Sequence, residues 1–372
     1  MPSGNSSLVG SYDHNDLSVT IDPSPADSGV QLRFAADDDT ALWDQYVFHH
    51  RYGTPFHLSA WKKTIHQTFQ YRDYSLIALQ NDRVAGILPL FYVRNPLIGK
   101  ALISSPFAVY GGGLFDSPAV AAAFRDRLKC LGSVLDLDYV ELRNQYPGQC
   151  LAFSRIDRYV TFIQELPVDE DAILQRIPRK TRYIVRRSLK EGFTTRKRGH
   201  EFEEFEQLYT ANLRRLGTPA FPRKHFANLL ANFQEMADIR EVLLGGRVVA
   251  AVLTLYFRGQ VFPYYGAADA AYNAKAPSSY MYFDLMRSTA RQGYTTFDFG
   301  RSKKFDSGSY EFKSHWGMEI RDLPYEMLLV GRKKLPNYTP NNPTFRAPIA
   351  VWRRVPLWMT RLIGPHLIRL VP

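Results

Sequence analysis

One hairpin signature occurs twice in this chain, and the repetition constrains its fold more than any single motif does. Residues 76–93 read LIALQNDRVAGILPLFYV, and residues 242–257 read VLLGGRVVAAVLTLYF. Each is a β-rich run, a two-residue turn of Asn-Asp or Gly-Gly type, an Arg-Val step and a second β-rich run, which is the pattern of a β-hairpin. Arg247 follows Arg83 by 164 positions. A second echo has a similar offset. A helix-like stretch leads into YVELRN at 139–144, another leads into TFDFGR at 296–301, and Phe297 follows Val140 by 157 positions. Two matched features at nearly equal spacing predict a duplicated unit of that size.

Within each unit the elements keep one order. Helix-like stretches at Ala41–His50 and Ser59–Phe69 precede the first hairpin, and Ala119–Leu135 follows it. Phe202–Leu216 and Lys224–Phe233 precede the second, and Ser279–Gln292 follows it. This predicts an α/β fold, with α+β mixed sheets, in two domains. We divide the chain into a flexible tail at 1–29, a first domain at 30–165 completed by 320–334, a second domain at 166–319, and a basic amphipathic arm at 335–372. The arm is entered through the Pro- and Asn-rich LPNYTPNNPTFR. A content of 45% hydrophobic and 14% aromatic residues supports packed cores and excludes wholesale disorder. The opening residues lack the basic and apolar regions of a secretory signal. No uncharged stretch reaches the roughly 20 apolar residues of a spanning helix. Cys130 and Cys150 make neither a metal-type pair nor a disulfide framework. The expectation is a cytoplasmic protein.

The formal charge of +11 is local. Residues 176–198 carry ten Lys or Arg against Glu191 alone, and residues 327–372 carry eight and no acid, which leaves the rest of the chain at −6. Two basic segments point to two anionic contacts rather than a uniform nucleic-acid coat.

The first basic segment includes PRKTRYIVRRSLKEG at 178–192. Pro178 suits the first turn of a helix and Gly192 its stop. Arg179, Arg182, Arg186 and Lys190 then share one face, with Ile184 and Leu189 left to pack. Guanidinium forks match phosphate oxygens, so Arg179, Arg182, Arg186 and Arg187 are candidate ligands for a nucleotide diphosphate, a lipid phosphate or tRNA. A solvated surface helix is the bland alternative.

A second candidate is FDFGRSKKFDSGSYEFKSHWG at 297–317, where a strand ends at Gly300 and a polar loop follows. Attack of an amine on an ester or thioester needs an oxyanion stabiliser and a route for one proton, with no metal or covalent nucleophile. Lys313 can supply the first need. Asp298 and Tyr310 are candidates for proton handling or positioning, and Arg301 and Lys303 for holding substrate. The alternative is that Asp298 and Arg301 form a structural pair while Phe312 and Trp316 fill a core. Neither HExxH, CxxC, a Walker-type loop nor GxSxG occurs. The run Tyr110-Gly111-Gly112-Gly113 reads as a tight turn where backbone approaches another segment.

At these motifs, and at the Arg-rich ending WRRVPLWMTRLIGPHLIRLVP, the chain resembles the Fem family, most closely the FemAB-like proteins of exosortase/PEP-CTERM and exopolysaccharide systems. The resemblance covers residues 30–372. It implies two tandem GNAT-like domains and transfer of an acyl or aminoacyl group onto an amine of an envelope precursor, through a ternary complex. It also implies that the basic helix at Arg182 and Arg186 holds the phosphate-bearing acceptor and that Lys313, in the Phe312-Lys313 step, assists transfer. The stretch before the second hairpin is too short for the long helical arm of some Fem proteins, and the pyrophosphate loop of acetyl-CoA-using GNAT enzymes is absent. The donor thus stays open between aminoacyl-tRNA and acyl-CoA, with no tightly bound cofactor.

Two readings leave the sequence. One is an acyl- or aminoacyltransferase acting on a peptidoglycan- or exopolysaccharide-related precursor. The other is a non-catalytic GNAT-like protein that binds polysaccharide, lipid or RNA at the membrane face. In both, the ending at 349–372, where Trp352 and Trp358 alternate with arginines, suits peripheral contact with an anionic membrane, or docking on the protein itself or on a partner.

Overall fold

Both repeated segments are hairpins, and their turns show why. In the computed structural model, which describes residues 29–304, 308–334 and 343–372, the turn residues Asn81 and Asp82 have φ of 50° and 59°, and Gly245 and Gly246 have φ of 57° and 80°. A two-residue loop of this type needs positive φ at both positions, which Asn, Asp and Gly tolerate. The echo extends into register. The first hairpin shifts between Ala78 and Leu79 and the second between Val242 and Leu243, so Ala85 and Val249, again 164 positions apart, are the extra residues of equivalent bulges. The expected tail falls outside the described residues except for Gly29, and so does most of the linker into the arm.

The first domain runs β1 (Val30–Phe34), α1 (Thr40–His49), α2 (Ser59–Phe69), β2 (Arg72–Asp73), β3 (Leu76–Gln80), β4 (Arg83–Leu88), β5 (Phe91–Asn95), β6 (Gly99–Ile103), β7 (Leu114–Phe115), α3 (Pro118–Val134), β8 (Tyr139–Leu142) and β9 (Ser154–Ile156). The second runs β10 (Tyr159–Glu165), α4 (Glu170–Arg176), α5 (Arg179–Ser188), β11 (Thr194–Arg198), α6 (Glu203–Leu216), α7 (Arg223–Phe233), β12 (Ala237–Leu244), β13 (Arg247–Phe257), β14 (Gln260–Ala268), α8 (Pro277–Arg291), β15 (Thr296–Lys303), α9 (Gly308–Ser314) and β16 (Glu319–Asp322). The chain returns to the first domain as β17 (Tyr325–Leu329), and the arm contributes α10 (Pro343–Trp352) and α11 (Leu357–Leu367).

The first domain has two sheets, ordered β1-β3-β4-β7 and β2-β5-β6-β8-β17-β9, and the second has one, ordered β11-β12-β13-β14-β15-β10-β16. In each domain a helix joins two parallel neighbours: α3 joins β6 to β8, and α8 joins β14 to β15. The second echo, YVELRN and TFDFGR, is the strand after each crossover.

The sheets correct the expected boundary at 165. Strand β10 lies between β15 and β16 in the second domain, where Val160 and Phe162 join that domain's core. Strand β16 stays there too, and the chain crosses back only at β17, which pairs with β8 and β9. The domains therefore divide just before Tyr159 and just after Asp322.

One apolar cluster belongs to both domains. Phe56 and Trp61 of the first pack on Phe262, Tyr264 and Phe233 of the second, with ring centroids 4.9–6.4 Å apart. The equivalent helices α2 and α7 are joined by Asn228 donating to Thr68 Oγ1 (3.1 Å) and Asn232 donating to Thr64 Oγ1 (3.1 Å) and Gln67 Oε1 (2.9 Å). Burying two such large side chains stabilises the junction by roughly 2–3 kcal/mol each.

The arm straps this junction. Trp352 Nε1 donates to the Thr218 carbonyl (3.0 Å) and Arg214 Nη1 to that of Val355 (3.1 Å), both in the second domain's contact with the arm. Tyr71 and Asn95 of the first domain donate to the Arg369 carbonyl (3.1 and 3.2 Å). Helix α11 approaches closely because Gly364 faces Ala220, where an added Cβ would lie 2.7 Å from a backbone nitrogen. Gly364→Ala is expected to cost about 1–3 kcal/mol through overpacking. Faster hydrogen exchange confined to α11, with a lower urea midpoint, is the signature to look for.

Candidate acyl-transfer site

The site begins where two neighbouring strands part. Strands β14 and β15 pair in parallel only at Gln260–Thr296 and Val261–Phe297, although both continue for several residues. On its other edge β15 carries a bulge: its ladder with β10 skips from Asp298–Ile163 to Arg301–Thr161, so Phe299 and Gly300 face Phe162 alone. Gly300 has φ of 67°, a conformation that side chains with a Cβ adopt at a cost. Backbone carbonyls at such a place need partners. The Lys313 ammonium supplies them, donating to the carbonyls of Phe299 (2.7 Å), Gly300 (3.1 Å) and Arg301 (3.0 Å).

A cleft of about 400 Å³ opens beside the parting strands. Pro263, Tyr264 and Gly266–Ala268 of β14 form one wall, and Phe299, Phe312 and Lys313 form another. Asn273 and Ser278 line its end at the start of α8, and Arg215 and Leu216 of α6 form a rim. Trp316 lies 1% exposed in the core and Phe312 packs against that core, as expected for the aromatics.

Asp298 points to the opposite face of β15 from Phe297 and Phe299. There it accepts from Tyr110 (2.9 and 3.1 Å to its two oxygens), Thr161 Oγ1 (3.1 Å) and the Gly300 N–H (2.7 Å). Burial pushes its carboxyl up to about 6, offset in part by these bonds and by Lys313. Burial pulls Lys313 down to about 7, with Asp298 opposing the shift and Arg301 adding to it. The Asp298–Arg301 pair of the alternative reading is not among the described ion pairs. Arg301 instead lies over Tyr159, 4.6 Å from the ring centroid and 5.7 Å from that of Tyr325, to whose hydroxyl its Nη1 donates (3.4 Å).

Tyr310 and Lys303 are grouped elsewhere. Both line a separate groove with Asp157, Arg158 and Asp322, and the Tyr310 ring packs edge-on against Phe162.

Helix α5 forms as expected after Pro178, and Gly192, at φ 76°, follows its end. Its buried side differs: Thr181, Val185 and Ser188 pack inward, while Ile184 and Leu189 are half-buried. Arg179, Arg186 and Arg187 are exposed and Arg182 half-buried. Arg187 Nη2 donates to the Ala274 carbonyl (2.8 Å), and Lys275 pairs with Glu191 at 2.6 Å. Both tie α5 to the loop at the end of the cleft.

The three cations of β11 are neutralised by acids of the second domain. Arg196 pairs with Glu204 and Glu241, Lys197 with Asp238, and Arg198 with Glu201 and Glu241. The anion-binding candidates therefore contract to α5. Sequence reasoning missed Tyr110 and Thr161 as partners of Asp298. The only signal was the glycine run after Tyr110, whose close approach is confirmed: a Cβ on Gly111 would lie 2.2 Å from Ser105 Oγ, and one on Gly112 2.0 Å from Asn144 Oδ1.

With this geometry in view, the comparisons are specific. Residues 179–314, from the first residue of α5 to the last of α9, match the acetyltransferase (GNAT) domain family. No curated protein matches the chain. In fold the chain is similar to FemX (TM-score 0.61, 14% identity, 81% of this chain and 98% of that one). It is also similar to the C-terminal domain of a putative lysylphosphatidylglycerol synthetase from Agrobacterium fabrum (0.53, 10%, 80% and 92%). A third similar structure is a tandem GNAT protein from the clavulanic acid biosynthesis pathway (0.51, 10%, 82% and 100%). The fold is thus two tandem GNAT-like domains. The match to an acyltransferase family lies in the second of them, at residues 179–314. No described helix is long and apolar enough to cross a membrane, and no group of three or more metal-ligating side chains occurs among the described residues.

The two shifted groups leave opposite marks on stability. Between pH 3.8 and about 6 the native state holds a proton at Asp298 that the unfolded chain releases, so this group lowers stability as pH rises. Between about 7 and 10.5 the unfolded chain holds the extra proton at Lys313, so stability rises with pH. Asp298→Asn should flatten the first slope relative to wild type and Lys313→Met the second, read by urea unfolding across pH.

Proposed function

We propose that this protein transfers an acyl or aminoacyl group from an ester or thioester donor to an amine of a phosphate-bearing cell-envelope precursor, in the cytoplasm. The observation that carries this reading is the cleft between β14 and β15, with the Lys313 ammonium in its wall and α5 tied to its end. An acyl chain entering the parted strands would place its carbonyl near Lys313. The acceptor amine attacks the carbonyl carbon, a C–N bond forms, and the C–O or C–S bond to the donor breaks. The proton lost by the amine goes to the departing oxygen or sulfur. Lys313 stabilises the oxyanion formed on the way, exchanging one of its three carbonyl bonds for that oxygen. Asp298 acts through Lys313, as a positioning residue that favours its charged form.

Arg179, Arg182, Arg186 and Arg187 hold phosphate, with Arg301 and Lys303 set apart from that face: Arg301 is engaged by tyrosines and Lys303 lies in the separate groove. Tyr310, grouped with Lys303, has no step in this scheme. Both donors remain compatible with it, because aminoacyl-tRNA and acyl-CoA each present an activated carbonyl and phosphates. FemX and the putative lysylphosphatidylglycerol synthetase support the aminoacyl alternative only by fold.

Intact-mass analysis of a cytoplasmic extract incubated with the protein should reveal an acyl- or aminoacyl-sized gain on a phosphate-bearing precursor. Lys313→Ala should lower kcat by about 100-fold or more with KM little changed, as for loss of an oxyanion donor. Arg186→Ala should raise the precursor KM by about tenfold with kcat retained. Equal losses of both parameters in both variants would sink these roles.

A further inference from the structure

The arm presents two chemically different faces. Its inner face buries Trp352, Thr360, Gly364 and Ile368 against the body. Its outer face leaves Ala347, Pro348, Ala350 and Val351 of α10 exposed, and Trp358, Leu362 and Ile363 of α11. Trp358 and Leu362 are each 66% exposed, one helical turn apart. Arg353, Arg354 and Arg361 are exposed beside them, and residues 327–372 contain no acid. A large exposed apolar surface is unusual on a protein without a partner for it.

We propose that this outer face binds the surface of an anionic lipid bilayer. The charge pattern selects that occupant. Rings and aliphatic side chains enter the boundary between headgroups and acyl chains, while arginines at the same level meet anionic headgroups. Neither α10 nor α11 is long enough to cross, so the arm lies along the surface.

Docking here has a geometric consequence. Arg353 Nη2 donates to the Leu216 carbonyl (3.3 Å), and Gly217 sits against Ile349, where an added Cβ would approach to 2.5 Å. Leu216 and Arg215 are the rim of the cleft. A bilayer bound by the arm therefore lies beside that rim. The inference does not depend on the transfer reading, and its test reads binding alone.

Full-length protein should co-sediment with phosphatidylglycerol/phosphatidylcholine vesicles and not with pure phosphatidylcholine vesicles. Raising ionic strength from about 0.1 M to about 1 M, where the Debye length falls from about 10 to about 3 Å, should weaken binding. Trp358 gives a direct reporter, because the other four tryptophans are 9% exposed or less. Its emission should shift to the blue on anionic vesicles and be quenched by brominated acyl chains. A Trp358→Ser, Leu362→Ser variant should bind at least about tenfold more weakly, in proportion to the apolar area withdrawn. Helix α5 is also basic, so vesicle binding that is equal in the variant, or that leaves Trp358 unquenched, would overturn the proposal. So would a concentration-dependent dimer that the same variant abolishes, since a second copy would then be the occupant.

Discussion

The parting of β14 from β15 is the constraint on which the site depends. A sheet satisfies its backbone by pairing, and a strand that loses its neighbour in a protein interior must find other donors. Here one side chain does this. The Lys313 ammonium has three hydrogens, and it gives them to three successive carbonyls of β15. The same arrangement that closes the backbone account keeps a cation at the wall of a cleft. Structural and chemical roles therefore coincide at Lys313, and a change there disturbs both. That is why a split between kcat and KM, rather than loss of activity, distinguishes them.

The bulge opposite Phe162 extends this constraint across the domain boundary. By taking up the extra residue at Gly300, β15 turns Asp298 toward Tyr110 of the first domain and Thr161 of β10. A carboxylate buried there is costly unless it is bonded, and its bonds come from three separate segments. Asp298 thus couples the position of the glycine-rich loop to the strand that carries Lys313's acceptors. The aromatic cluster around Phe56, Trp61 and Tyr264 keeps the loop and strand in that relation. The domains share a core as well as a surface, so the geometry of the site is set by packing on both sides.

What could be read from the sequence was whatever is decided locally. The hairpins were legible because turn φ angles select residue types within two positions, and the recurrence of Arg-Val after the turn marked the duplication. Helix α5 was legible for the same reason, with Pro178 before it and Gly192 after. The position of β10 was not. Alternation of Val160 and Phe162 says that one face is buried but not against which sheet, and only pairing with β15 and β16 decides it. Likewise Lys313 could be singled out in its aromatic motif, but its three acceptors depend on where β14 leaves β15. The cleft wall from β14, PYYGAA, carries no local mark of function, since small residues there serve shape.

Charge shows the same limit and also resolves it. The ten cations of residues 176–198 read as one basic segment, yet those of β11 meet Glu241 and Asp238, which lie on the neighbouring strand β12 and are buried. Pairing to a buried carboxylate removes a cation from recognition, because moving it would leave the acid uncompensated. The cations of α5 have a different setting: the helix packs through Thr181, Val185 and Ser188, and none of these is an acid. The arm follows the second pattern, with acids absent from the segment itself and Glu206 meeting Arg361 alone among its arginines in the described ion pairs. The chain's positive charge is thus divided by folding into a sheet edge that is internally neutralised and two helical surfaces that face outward, one tied to the end of the cleft and one to its rim.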